Sequence, residues 1–205
     1  DSPDAESRRW ALYAAESVGL DQQTWADTLV RVVQQDESAD VRIAALSTLK
    51  GIASSVDLEF ALPTLVARLV EPGRETSLVC EVLGAMRPQP IGAVPFLKEV
   101  LARDELVLSA ASALWRIEGR ADSITPAMGR VFDTHGEGVC DLICELGPAA
   151  SPLIPDVIKA LAEEDYWDLQ WAAADALRAI ASSDWMVLRS LLDALSESVA
   201  EIREG

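Results

Sequence analysis

Histidine occurs once in this chain of 205 residues, and cysteine and methionine three times each. The lone imidazole, His135, lies in a turn before Gly136 and Gly138, and acid–base work would need a positioned partner for it. Three cysteines make no disulfide framework. Cys140 and Cys144 stand one helical turn apart and point the same way, a poor geometry for a bridge, so a reducing, cytoplasmic compartment is expected. No apolar run approaches the roughly 20 residues of a membrane helix. No basic segment followed by an apolar one marks a signal peptide. Strand-like alternation is sustained nowhere. Cations are scarce: 17 Lys and Arg face 34 Asp and Glu, for a net charge of −17. Residues 1–103 hold 10 basic and 15 acidic residues, net −5, and the remainder hold 7 and 19, net −12. Such a field repels phosphate backbones and anionic membranes. It speeds the approach of a basic protein. Neither nucleic acid nor a membrane is therefore an expected partner.

Against these absences stands a repeat. Pro63, Pro95, Pro126 and Pro155 each precede a bulky apolar residue by six positions: Leu69, Leu101, Phe132 and Leu161. A second column, Val18, Leu49, Leu83, Leu114, Leu146 and Leu177, has successive spacings of 31, 34, 31, 32 and 31. A fixed period in this range is the mark of a solenoid. The chain reads as two alternating helix types. Proline-bearing A helices fall roughly at 21–35, 57–71, 90–103, 122–134, 149–163 and 184–202, and B helices roughly at 5–19, 38–54, 74–87, 104–119, 137–147 and 166–182. In the B helices the apolar residues keep helical spacing, as in Val41, Ala44, Ala45, Thr48, Leu49 and Ile52. Asp21, Asp57, Asp122 and Asp184 precede A helices and are placed to accept the free N–H groups of the first turn. The recurring proline implies a shared bend in each A helix. One domain over 1–205 follows, with unpaired half-repeats at 5–19 and 184–202; Trp10 and Tyr13 share a face of the first.

The stretch from Leu146 to Ala181, LGPAASPLIPDVIKALAEEDYWDLQWAAADALRAIA, resembles HEAT-like repeats common in bacterial proteins, and Asp40 to Ala53 resembles the second helix of such a repeat. The A-helix proline is a trait of that family. The family's arginine early in helix B is matched by Arg42 alone; Thr76, Val107, Val139 and Gln170 take the aligned positions. The resemblance implies an all-α fold, a right-handed α-solenoid of about five to six antiparallel helix pairs with the B helices lining a concave, partner-facing surface. It implies a scaffold rather than a particular activity.

No residues demand a cofactor, a metal or a catalytic role. His135, Cys140 and Cys144 lack a fourth ligand for zinc. There is no phosphate loop and no nucleophile elbow. Acids opening the B helices, Asp40, Glu105, Glu137 and Asp168, are explained by the helix dipole. The cluster Glu163, Glu164, Asp165 and Asp168 exceeds what capping requires. It surrounds Tyr166 and Trp167, with Trp171 one turn on, and aromatics beside acids suit a Lys- or Arg-bearing partner. Trp171 aligns with Ile43, Leu108 and Cys140, beside the buried column. Trp115 aligns with Lys50, Gly84, Gly147 and Arg178, variable company that suggests an exposed position. The expected function is protein binding. A sharper version is an immunity protein or inhibitor that neutralises a basic toxin or nuclease. A HEAT-like enzyme or accessory protein, similar to bilin lyases or alkyl-base DNA glycosylases, is the competing class; the glycosylase variant needs a basic groove, which this charge opposes.

Overall fold

The computed structural model describes residues 4–16, 21–162 and 166–181. Among them every regular element is helical, as the sequence requires. They gather into two compact units, one ending at Gly119 and the other beginning at Arg120.

In the first unit, α1 (Ala5–Glu16), α2 (Gln22–Gln35) and α3 (Ala39–Ile52) are followed by α4 (Leu62–Ala67), α5 (Arg74–Ala85), α6 (Val94–Leu101) and α7 (Val107–Glu118). Helices α1, α3, α5 and α7 stack in sequence, with α2 packed on α3 and α6 on α7. Leu49, Leu83 and Leu114 of the second column are wholly buried at the centre of this stack. Each withdraws its side chain from water at a gain of about 1.5–3 kcal/mol. In the second unit, α8 (Thr125–Arg130), α9 (Phe132–Leu146), α10 (Ile154–Leu161) and α11 (Trp167–Ala181) bury Leu146 and Leu177 of the same column. Here α9 and α10 both pack on α11. Val18 and the helix expected at 184–202 lie outside the described residues.

The prolines do not bend the A helices in mid-course. Pro63, Pro95, Pro126 and Pro155 lie in the first turn of α4, α6, α8 and α10. A missing N–H costs nothing there, because no intrahelical acceptor exists for it. Three of the four helices are entered through a 3₁₀ segment, at Glu59–Ala61, Ile91–Ala93 and Gly147–Leu153. Those three expected A helices thus become a 3₁₀ turn and a short α segment, whereas the one expected at 21–35 is a continuous α-helix. Between α8 and α9 the A-to-B boundary falls at His135, whose φ of −135° and ψ of 31° interrupt α9. The B helix proper starts at Gly136, close to the expected 137.

Capping follows the sequence in part. Asp21 accepts the Thr24 N–H at 2.9 Å, and Asp57 accepts the Glu59 N–H at 3.0 Å. Asp122 instead receives the Arg120 guanidinium at 2.9 Å. The aligned polar position early in the B helices serves a local purpose that spacing alone did not disclose. Arg42 donates to the carbonyls of Asp36 and Glu37 at 2.9 and 3.0 Å, closing the turn before its own helix. Thr76 does the same for Arg68 and Glu71, and Gln170 reaches the Leu161 carbonyl at 3.5 Å. Arg42 also grips Glu75 on α5 with two parallel bonds of 2.9 and 2.8 Å. A second arginine series joins successive A helices. Arg68 donates to the Gln34 carbonyl at 2.9 Å and Arg103 to that of Leu69 at 3.0 Å.

Candidate functional site

Helix α11 is amphipathic. Ala173, Ala176, Leu177 and Ile180 are buried, while Trp167 and Trp171, one turn apart on the opposite side, are 74% and 72% exposed. Tyr166, just before the helix, is 66% exposed. Large aromatics left this open are unusual, because burying each would withdraw 150–250 Å² from water. Asp168 and Asp175 are exposed beside them, and Asp175 accepts from Arg178 at 2.8 Å. The structure thus brings Tyr166, Trp167, Asp168 and Trp171 together at one end of α11. Glu163, Glu164 and Asp165 lie outside the described residues.

Helix α9 runs alongside α11 in the same direction. Gly136 near its start faces Leu169, so closely that an added Cβ would lie 2.8 Å from Leu169 Cδ1, and Gly147 at its end approaches the Ala179 carbonyl. Glu137, Asp141 and Cys144 are exposed on α9. Partial burial, followed by the charges of Asp175 and Asp141, raises the pKa of the Cys144 thiol. Asp141 of α9 and Asp175 of α11 thus both act on the Cys144 thiol. Asp141 and Asp175 were missed in the sequence and Cys144 was weighed only as a metal ligand or disulfide partner, although polar residues at 137, 141 and 144 keep the spacing of an exposed helix face.

Trp115 belongs to the first unit, on α7, and is half-buried rather than open. Burial pushes the thiols of Cys80 and Cys140 up to about 12. Both thiols are buried and stay protonated at neutral pH. The exposed His135 ring pairs through Nδ1 with the Thr134 hydroxyl at 2.8 Å. Among the described residues no three of His, Cys, Asp and Glu converge as a metal site would require. A pocket of about 270 Å³ in the first unit is lined by Leu58, Leu62, Met86, Pro90 and Ile91. The guanidinium of Arg87, at its edge, is bound to the Met86 and Gly84 carbonyls at 2.6 and 3.3 Å. The described helices include none long and apolar enough to cross a membrane.

The chain matches no protein-family model, no curated protein and no solved structure.

Proposed function

We propose that the chain is a HEAT-like α-solenoid that works by binding another protein, of basic character, and that α11 carries the main contact. The observation behind this reading is the trio Tyr166, Trp167 and Trp171, 66–74% exposed, set among acids in the half of the chain with net charge −12. Trp and Tyr dominate the energetics of protein interfaces, and a cation over a Trp face gains further when it is desolvated. Acidic steering would bring such a partner in quickly, and the aromatics would hold it. The repeated B-helix stack of the first unit supports the solenoid reading. Glu163, Glu164 and Asp165 join the proposed contact on sequence alone, and Trp115 is a separate candidate contact on α7.

A narrower form of the reading is an immunity protein or inhibitor neutralising a basic toxin or nuclease, favoured by the concentration of acid in the second half of the chain. Affinity capture from the native host lysate, with wild type and Trp167→Ala/Trp171→Ala in parallel, tests the proposal. One dominant basic partner that is lost with the double variant is the expected result. Absence of any enrichment of basic proteins would sink it.

A further inference from the structure

The repeat register says which side of α11 the two tryptophans occupy. Where one B-type helix stacks on the next, it presents a recurring set of positions to its successor. On α5 that set includes Gly84, where an added Cβ would lie 3.1 Å from the Ala113 Cα of α7, and Ser77, whose hydroxyl meets that of Ser109 on α7. On α9 it includes Gly136 and Gly147, facing Leu169 and Ala179 of α11. Counted from the column Leu83, Leu146 and Leu177, Gly84 and Gly147 stand at the same position as Arg178. Ser77 and Cys140 share the position of Trp171, and Gly136 that of Trp167. Cys140 is wholly buried in its layer, whereas Trp171 and Trp167 are 72% and 74% exposed. The tryptophan stripe is therefore the face of α11 that would carry the next helix of the stack.

Resting on the reading that the partner is a basic protein, we infer that it delivers an α-helix to this face, laid along α11 as α11 lies along α9. The internal layers fix its chemistry. At each close crossing a small residue makes room, Gly84 against Ala113 and Gly136 against Leu169. With Trp167 and Trp171 on this side, the incoming helix must supply the small residues, Ala, Gly or Ser, so that its backbone can approach the rings. Flanking Lys or Arg complement Asp168 and Asp175. A second copy fits poorly. The opposite stacking face of α1, at the positions of Val41 and Ala44, holds the exposed Trp10 and Tyr13, which would oppose bulk to bulk, and two copies at −17 repel.

The test uses the full chain and two synthetic peptides of equal charge. One is an alanine-rich, lysine-flanked helix, and the other has the same residues plus two prolines that prevent helix formation. Acrylamide quenching and emission are compared between wild type and Trp167→Phe/Trp171→Phe, whose difference isolates these two rings. The helical peptide is expected to shield the rings. It should bind at least about tenfold more tightly than the proline peptide, and more tightly than it binds Trp167→Ala/Trp171→Ala. Circular dichroism checks that the variants remain helical. Equal binding of both peptides would overturn the inference while leaving the basic-partner reading in place. So would binding of neither peptide, if basic proteins are still captured in an α11-dependent way. Rings already shielded without peptide would overturn it too, assigning the face to the chain itself if shielding is independent of concentration, or to a second copy if shielding grows with it.

Discussion

Two glycines in equivalent helices have opposite prospects. At Gly84 a Cβ would press on the Ala113 backbone at 3.1 Å, whereas at Gly51 nothing lies within 4 Å. Gly84→Ala should therefore destabilise the protein by about 1–3 kcal/mol, through a helix crossing that has no room to spread. Gly51→Ala should stabilise it by about 0.5–1 kcal/mol, because alanine restricts the unfolded chain and favours the helix. Urea unfolding of the two variants checks both signs. Asp36 offers a pH test. Hydrogen bonds from Arg8, at 2.8 and 2.9 Å, hold its carboxyl below the usual range. A carboxyl depressed in the folded state stabilises above its unfolded pKa of about 3.9 and loses that contribution as pH falls through the folded value. Stability should accordingly decline below about pH 4. Asp36→Asn should be less stable than wild type at pH 7 but show a shallower decline, measured as urea midpoints across the acid range.

At the scale of single elements, the leucine column was legible because burial enforces strict periodicity: Leu49, Leu83 and Leu114 are wholly buried. The prolines were legible as landmarks but not as helix starts, since the preference for the first turn competes with the bend that an internal proline produces. Arg42 could be located but its reach could not. Its grip on Glu75, 33 residues away, depends on how α3 and α5 are layered. Arg42→Ala should cost about 1–3 kcal/mol, because it leaves the partly buried Glu75 with only the longer 3.8 Å contact to Arg68. Arg42→Lys should recover only part of this, lacking the planar fork; thermal unfolding of both variants distinguishes them. In α9, Cys144 is exposed while Cys140 is buried. A thiol reagent should modify Cys144 in the native protein and reach Cys80 and Cys140 only on unfolding, as peptide mass mapping can follow. At the candidate site, the aromatic run 166–171 was plain in the sequence. Its placement on the outer stacking side of α11 was not, because one register position holds Cys140 where it is covered and Trp171 where it is open.

For the molecule as a whole, charge and exposed aromatics are the two properties that bear on function. A net charge of −17 acts over a Debye length of about 8 Å at physiological salt. It would govern how fast the proposed basic partner arrives more than how long it stays. The association rate of the captured partner should therefore fall steeply between low and high salt, while its dissociation rate responds chiefly to Trp167→Ala and Trp171→Ala; surface plasmon resonance separates the two. The most direct trial is hydroxyl-radical footprinting of the chain alone and bound to that partner. Oxidation of Trp167 and Trp171 is expected to drop on binding while that of Trp10 is unchanged. Unchanged oxidation of Trp167 and Trp171, with protection at Trp10 or Trp115 instead, would contradict the contact proposed on α11.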